Sequence, residues 1–284
     1  MKTTDLVRER ITDIQSGKIK GITTGLDGLD KYTGRIEQDQ VWIAGGYTGT
    51  GKSFLVINMI EGMLNEAKAR GTKPHIIIFS TELSEDDYIY RHCLMRLSIY
   101  KNQFENELTD PQSLYDDAMM VELEKYDDLI EDGTIKIYGG ITKLEEIMQF
   151  MNVQKDKPDA IFIDYVQELM VENKFDVRDT MPIIAKKLKG LALSWHTGIV
   201  AISQVNNYAM NADNDPTKTQ LAPFTFGREL VNASHCSLLI TREKIEGELS
   251  KELVLHILKA RGGELRFLKY DIKNGFNLHY QQPT

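Results

Sequence analysis

The residue types and spacing near the start of the chain indicate a phosphate-binding loop. The segment GGYTGTGKS occupies residues 45–53, and Gly46, Gly51, Lys52 and Ser53 fit the pattern G-x-x-x-x-G-K-[ST]. The glycines allow the backbone to curl tightly, so that consecutive N–H groups point at a phosphate. Lys52 can reach the β- and γ-phosphates of a nucleotide, and the Ser53 hydroxyl can ligate Mg²⁺.

The residues on either side of this loop have the patterns that such a loop requires. Residues 40–45, QVWIAG, predict a buried strand, and residues 53–70, SFLVINMIEGMLNEAKAR, predict an amphipathic helix. A strand, a loop and a helix in this order favour nucleotide binding over a glycine turn beside an ordinary surface lysine. We therefore expect these residues to bind the nucleotide phosphates: Gly46, Thr48, Gly49, Thr50, Gly51, Lys52 and Ser53.

Polar residues also end three other predicted strands. Asp164 follows the apolar run AIFI, and a carboxylate at that strand end can support Mg²⁺ through water. A helix cap or a turn is the alternative role for such a residue. The phosphate loop elsewhere in the sequence favours the role at the metal. Glu82 follows HIIIFST and can orient the water that attacks a γ-phosphate, although the start of a helix capped by Ser84 explains it equally well. Gln204 ends GIVAISQ, where it can sense the γ-phosphate or simply be solvated.

Two cations precede a Gly-Gly turn in KARGG, residues 259–263. Lys259 and Arg261 are therefore expected on a tight, exposed tip. Such a tip is either solvated or delivers an arginine finger to a phosphoryl group on a neighbouring subunit, and the residues alone leave both possibilities open.

The elements that must position these residues form an α/β pattern. Helical patterns of ten or more residues separate short apolar runs, which predicts a mostly parallel sheet with helices on both faces. We expect additional strands to close the sheet near the C-terminus. The predicted strands lie at residues 75–81, 134–139, 160–166, 198–204, 234–243, 251–260 and 264–272. The helix that precedes the predicted strand at 198–204 is expected to begin at Met181, with the segment MPIIAKK.

Composition narrows the class of protein. The 284 residues carry a net charge of −8, and residues 101–133 hold 11 acidic residues against Lys101 and Lys125, so the rest of the chain is almost neutral. An acidic segment on the outside would leave a basic channel possible elsewhere. The sequence has no apolar run long enough to span a membrane and no apolar core of a signal peptide. Cys93 and Cys236 have apolar neighbours, so we expect them to be reduced and buried in the core. Together these features favour a cytoplasmic protein.

These segments, in this order, resemble the RecA-like ATPase domain of DnaB-type hexameric replicative helicases, from about residue 21 to 280. FSTELS at 79–84 is similar to F-S-L-E-M-S of that family, IFIDYVQELM at 161–170 to I-D-Y-L-Q-L-M, and SQVNN at 203–207 to S-Q-L-N-R. GITTGLDGLDKYTG resembles the segment that leads into the family's core, and KARGG resembles K-x-R-x-G.

The resemblance implies a RecA-like P-loop core that binds ATP and Mg²⁺, with Lys52 and Ser53 on phosphate and metal, Asp164 supporting the metal, and Glu82 activating water. It implies that Gln204 senses the γ-phosphate and that Lys259 and Arg261 act on the neighbouring subunit's nucleotide. It also implies a hexameric ring around single-stranded DNA, lined by loops at about 169–181 and 205–227. The cations expected to meet DNA phosphates are Lys174, Arg178, Lys218 and Arg228.

The domain organisation departs from the family pattern. We expect a linker helix and linker in residues 1–20, with Leu6, Ile11 and Ile14 on or near one side of the helix, and the ATPase domain in residues 21–284 with an acidic helical insertion at about 101–133. That insertion is expected to serve a protein partner. Because so few residues precede the core, we do not expect the primase docking that the family's N-terminal domain provides.

Three functions compete at this point. The leading hypothesis is an ATP-driven helicase or translocase on single-stranded DNA, from a phage or mobile element. The alternatives are a KaiC/RadA-like ATPase that switches a protein assembly, and a replication accessory or loader protein that uses nucleotide only for assembly. Stimulation of ATP hydrolysis by single-stranded DNA discriminates the first from the others.

Overall fold

A nine-stranded sheet runs through the molecule, in a computed structural model that describes residues 3–16, 21–109, 113–172, 176–205, 228–245, 248–273 and 277–282. A separate two-stranded hairpin follows the sixth strand. The strands are β1 (Val41–Gly46), β2 (Ile76–Ser80), β3 (Ile135–Tyr138), β4 (Ala160–Asp164), β5 (Gly198–Gln204), β6 (Cys236–Thr241), β7 (Lys244–Ile245), β8 (Glu248–Leu249), β9 (Glu252–Ala260), β10 (Phe267–Lys273) and β11 (Asn277–Tyr280).

The sheet has a parallel part and an antiparallel part. Its order is β11-β10-β9-β6-β1-β5-β4-β2-β3, and the six strands from β6 to β3 run parallel. β9, β10 and β11 then extend the β6 edge as antiparallel strands. β1, β2 and β4 are buried on both faces, which is why they appear in the sequence as continuous apolar runs. The alternation along β9 and β10 reflects one buried face, while the other face is half-buried in β9 and largely exposed in β10.

Helices cover both faces of the sheet, as the sequence predicts. One buried apolar cluster includes residues of α3, α4 and α6, and a second on the other side includes residues of α7, α8 and α9. The helices are α1 (Thr3–Gln15), α2 (Leu29–Thr33), α3 (Lys52–Arg70), α4 (Glu85–Arg96), α5 (Lys101–Glu107), α6 (Tyr115–Glu131), α7 (Leu144–Asn152), α8 (Val177–Trp195) and α9 (Arg228–Ala233), with a 3-10 turn at Val166–Glu168.

Two stretches differ from the sequence-based expectation. α8 begins at Val177 rather than at the predicted Met181, because the Asp176 carbonyl accepts the N–H groups of Asp179 and Thr180 and so starts the helix before Pro182. The described residues of the predicted loop at 169–181 belong in part to other structure. Leu169 and Val171 are buried in the core, and α8 takes up its last residues. The strand β11 and the β7–β8 hairpin were not predicted.

The acidic segment at 101–133 is anchored in the core by a few of its residues. Phe104, Met119 and Tyr126 are buried. The Tyr126 hydroxyl lies 2.7 Å from His92 Nδ1 of α4, and His92 Nε2 lies 2.7 Å from a carboxylate oxygen of Glu61 in α3. This segment is therefore packed against α4, which in turn contacts α3, and most of its described acidic residues are exposed.

Other expectations from the sequence can be compared with the described residues. α1 matches the predicted helix, and its Leu6, Val7 and Ile11 side chains are about half exposed. Both cysteines are buried and free. Within the described part of the chain, no helix combines the length and apolar character needed to cross a bilayer.

Candidate nucleotide-binding site

The predicted phosphate loop joins β1 to α3 at the carboxyl edge of the parallel strands. Gly49 and Gly51 have φ angles of +80° and +104°, which side chains disfavour, so glycine is required at these turns. At Gly46 a Cβ would lie 2.6 Å from Thr50 Oγ1, so the loop also needs a glycine there to close on itself. The Thr50 hydroxyl donates to the Tyr47 carbonyl at 2.8 Å and fixes the curl.

The helix that follows the loop begins at Lys52 with an anion-binding arrangement. α3 has 19 residues, Gly51 provides no side-chain cap, and the first turn carries no acidic residue. Its first N–H groups and its dipole therefore favour a phosphate at this end. The Lys52 ammonium donates to the Tyr47 carbonyl at 2.9 Å, so it already lies over the loop. Burial lowers the pKa of Lys52, while the nearby carboxylates of Asp164 and Glu82 oppose that shift.

Asp164 and Ser53 meet beside the loop. The Ser53 hydroxyl donates to Asp164 Oδ2 at 3.1 Å, although the two residues are 111 positions apart. Asp164 is the last residue of β4 and only 7 % exposed. Burial, with a contribution from Glu82, raises the pKa of Asp164 from 3.8 to about 6, against the opposing effects of Ser53 and Lys52.

This pair has the character of a magnesium site. A hydroxyl and a buried carboxylate are hard oxygen ligands, and Mg²⁺ in nucleotide sites takes few protein ligands because phosphates and water complete its octahedron. A divalent cation would also compensate the burial of the Asp164 charge.

Glu82 lies at the same edge, in the exposed turn between β2 and α4. Ser84 is the N-cap of α4, as the sequence predicts, and its hydroxyl accepts the Asp87 N–H, so Glu82 precedes the cap by two residues. The turn is tied to the metal side of the site by Thr81, which sequence reasoning did not identify. Its N–H donates to the Asp164 carbonyl at 2.8 Å, and its hydroxyl accepts the Tyr165 N–H at 3.0 Å.

Gln204 completes this edge of the sheet. It is the last residue of β5 and lies opposite Gly46 in the register with β1. Its side-chain Nε2 donates to Thr48 Oγ1 in the loop at 2.9 Å, so it is within reach of a phosphate bound there. Gln167, a residue that sequence reasoning quoted only within a motif, contacts the backbone of Gln204.

Lys259 and Arg261 lie at the opposite edge of the sheet. Ala260 is paired with Cys236, and Cys236 with Trp42, which places the KARGG tip beside the amino end of β1. The phosphate loop leaves the opposite, carboxyl end of β1 at Gly46, which is four positions or about 13 Å along the strand from Trp42. The two cations and the loop are therefore not brought together within one chain.

The surroundings of these two cations differ. The Lys259 ammonium donates to the Val231 and Asn232 carbonyls at 2.7 and 3.0 Å, at the end of α9. Arg261 is exposed, and its backbone N–H donates to the His235 carbonyl. Burial, then Arg261 and Lys189, lowers the pKa of Lys259, so this edge is basic.

The cations predicted to meet nucleic acid lie mostly outside the described residues. Lys174 and Lys218 fall there, and Arg178 is in α8 but its side chain is not described. Arg228 is exposed at the start of α9. A nucleic-acid interface built from these four residues is therefore not tested by the structure.

Comparisons with known proteins agree on one family. The family described as DnaB-like helicase C terminal domain matches residues 21–280. The Replicative DNA helicase DnaB of Mycoplasma pneumoniae is 28% identical over 217 residues, covering 71% of this chain and 44% of the relative. The protein of the same name from Helicobacter pylori strain J99 is 28% identical over 205 residues, covering 69% and 39%. The chain thus spans less than half the length of these relatives.

Solved structures have the same fold. A structure described as an ATPase domain superposes with a TM-score of 0.83 at 16% identity, covering 99% of both chains. A DnaB-like replicative helicase, studied with its interactions with primase, superposes with a TM-score of 0.79 at 16% identity, covering 98% of this chain and 67% of that one. The RecA-like α/β fold predicted from the sequence is therefore confirmed.

Proposed function

The chain belongs to the DnaB-like helicase C-terminal domain family, and from that membership we propose that it is an ATP-hydrolysing, ring-forming motor that moves on single-stranded DNA. One observation carries the proposal. Asp164, Glu82 and Gln204 come from three separate segments, yet all three lie beside the one phosphate loop that ends at Ser53. A site of this composition can bind a nucleoside triphosphate and activate water against it.

The proposed roles follow from the positions of the side chains. The loop N–H groups and the start of α3 bind the β- and γ-phosphates, and Lys52 exchanges the Tyr47 carbonyl for a phosphate oxygen. Ser53 and Asp164 would hold Mg²⁺, which neutralises charge on the phosphates when bound. Glu82 orients and polarises the attacking water. Gln204 exchanges Thr48 for the γ-phosphate and so detects its presence.

The proposed catalytic unit is an interface between two copies of the chain. Since Lys259 and Arg261 lie at the far edge from their own loop, they act on the nucleotide of the next subunit. Heterologous contacts of this kind form a ring when the rotation between subunits closes, and we propose a closed hexamer. The half-exposed apolar side chains of α1, Leu6, Val7 and Ile11, would pack on a neighbouring copy.

Other partners are proposed from the sequence and the family. Single-stranded DNA would contact Lys174, Arg178, Lys218 and Arg228, and a protein partner would use the acidic segment at 101–133. The proposed location is the cytoplasm. The protein-switch and loader alternatives gain no support from any feature of the part of the chain that the structure describes.

The test is the rate of ATP hydrolysis with and without single-stranded DNA, in the presence of Mg²⁺. We expect DNA to stimulate the rate, and Lys52→Ala to abolish hydrolysis while leaving the circular dichroism spectrum unchanged. A rate that DNA does not alter would instead favour the protein switch, and nucleotide binding without turnover would favour the loader. Near-parental turnover by Lys52→Ala would contradict the site itself.

A further inference from the structure

Gln167 holds the backbone of Gln204, and we propose that it is a positioning residue through which the site distinguishes a nucleoside triphosphate from a diphosphate. The inference rests on the proposed function, because Gln204 is the residue proposed to contact the γ-phosphate. Gln167 lies in the 3-10 turn Val166–Glu168 after β4, and Gln204 ends the neighbouring strand β5. The two residues are therefore neighbours at the edge where the nucleotide would bind.

Three hydrogen bonds join the Gln167 side-chain amide to the end of β5. Its Oε1 accepts the Gln204 N–H at 2.9 Å. Its Nε2 donates to the Gln204 carbonyl at 2.8 Å and to Ser203 Oγ at 2.6 Å. One side chain thus satisfies both backbone polar groups of Gln204 and the hydroxyl of the buried Ser203.

These bonds continue the sheet beyond the end of β4. The register between β4 and β5 stops at Ile163 opposite Ala201, whereas β5 continues along β1 as far as Gln204 opposite Gly46. Without Gln167 the Gln204 N–H and C=O would lack a strand partner on the β4 side. A primary amide carries the acceptor and donors of a peptide group, so it can replace the missing strand residue.

The turn that carries Gln167 is itself fixed in the core. Val166, directly before Gln167, is fully buried, and Leu169, two residues after it, is 2 % exposed, so the turn is anchored at both ends. On the other side, the Gln204 side chain reaches Thr48 of the phosphate loop. A continuous set of contacts therefore runs from the core through Gln167 and Gln204 to the loop.

The consequence of this arrangement is specific to the γ-phosphate. If Gln167 loses its amide, the end of β5 loses three hydrogen bonds and Gln204 is no longer held at a defined distance from the loop. The groups proposed to bind the β-phosphate, namely the loop N–H groups and Lys52, do not contact Gln167. Loss of the Gln167 amide should therefore weaken binding of a triphosphate and leave binding of a diphosphate unchanged.

The experiment measures equilibrium binding of AMP-PNP and of ADP, each with Mg²⁺, to the full chain. The variants are Gln167→Ala, Gln204→Ala and the double variant. Gln154→Ala is the matched control, because Gln154 also makes side-chain hydrogen bonds, to Tyr138 and Phe150, away from this edge. We expect the preference for AMP-PNP over ADP to fall by about tenfold or more in Gln167→Ala, as for loss of a hydrogen bond to a charged group.

Non-additivity identifies the mechanism. If Gln167 acts through Gln204, the double variant should lose no more preference than Gln204→Ala alone, and Gln154→Ala should keep the parental preference. A parental preference in Gln167→Ala would overturn the inference. So would an equal loss of affinity for both nucleotides, which indicates a purely structural role, or additive losses in the double variant. A parent chain that binds neither nucleotide would refute the proposed function and the inference together, whereas a DNA-stimulated parent ATPase with an unaffected Gln167→Ala would overturn the inference alone.

Discussion

Replacing Asp164 by Asn should stabilise the nucleotide-free protein at neutral pH and remove its response to Mg²⁺. The substitution keeps the shape of the side chain and an oxygen that can accept from Ser53, but it removes the buried negative charge. Asp164 is only 7 % exposed, and no cation directly pairs with it among the contacts described for its carboxylate. The variant therefore isolates what the buried charge costs the fold.

The size of the effect follows from the pKa of Asp164. That pKa is raised from 3.8 to about 6 in the folded chain, mainly by burial. Between those two pH values the unfolded chain releases the proton while the folded chain retains it, so stability falls as the pH rises. Each pKa unit corresponds to about 1.4 kcal/mol, so the total loss is about 3 kcal/mol. Below pH 3.8 the two proteins should become equally stable, and above pH 6 Asp164→Asn should be more stable by nearly the full amount.

The assay is urea unfolding at pH 4.5, 6 and 7.5 in EDTA, for the parent, Asp164→Asn and Asp128→Asn. Asp128 is an exposed aspartate of α6 and controls for the loss of one surface charge. A matched series with Mg²⁺ and AMP-PNP should reverse the order at pH 7.5, because the ligands stabilise only a chain that can bind them. A difference between parent and Asp164→Asn that stays constant with pH, or a less stable Asp164→Asn at pH 7.5 in EDTA, would refute the reasoning.

Three further predictions concern catalysis and assembly. Glu82→Gln should retain AMP-PNP binding and lose about 10²–10⁴ in hydrolysis rate, since it keeps the shape but removes the charge that polarises water; lost binding in a titration would indicate a damaged turn instead. Arg261→Ala should lower the hydrolysis rate by about 10³–10⁵ although its own phosphate loop is intact. In rings assembled from equal amounts of Arg261→Ala and Lys52→Ala, about a quarter of the sites should combine an intact loop with an intact arginine and hydrolyse ATP. Inactive mixed rings would argue against action between subunits. The affinity for single-stranded DNA, measured by fluorescence anisotropy, should fall steeply as the salt concentration rises. A variant in which four cations are neutralised together should show a weaker dependence of affinity on salt; they are Lys174, Arg178, Lys218 and Arg228. An unchanged salt dependence would show that these residues are not in the interface.

Much of the fold could be predicted because the signals are local. Continuous apolar runs predicted β2, β4 and β5 to within two residues at each end, since strands buried on both faces need apolar side chains at every position. The apolar patterns on either side of the phosphate loop likewise predicted β1 and α3. β11 and the β7–β8 hairpin were missed because they are short and lack such runs, and the start of α8 was misplaced because Asp176 begins the helix before Pro182.

The same distinction between local and long-range signals applies to the candidate site. The phosphate loop consists of consecutive residues, because the backbone of a single short segment wraps the phosphate. The sequence by itself therefore predicted the loop from Gly46 to Ser53. Asp164, Glu82 and Gln204 could be proposed from the ends of predicted strands, and the sequence also indicated Ser84 as the cap of the following helix, where the structure has it.

Only the tertiary structure decided which distant residues meet. Strand order brings Asp164 to Ser53 and Gln204 to Thr48, whereas the antiparallel direction of β9 places Lys259 and Arg261 at the amino ends of the parallel strands. Thr81 and Gln167 are ordinary polar residues in the sequence, and their roles arise because they bond the backbone of neighbouring strands where a ladder has ended. Such roles depend on pairing between segments far apart in the chain, which no local pattern of residues specifies.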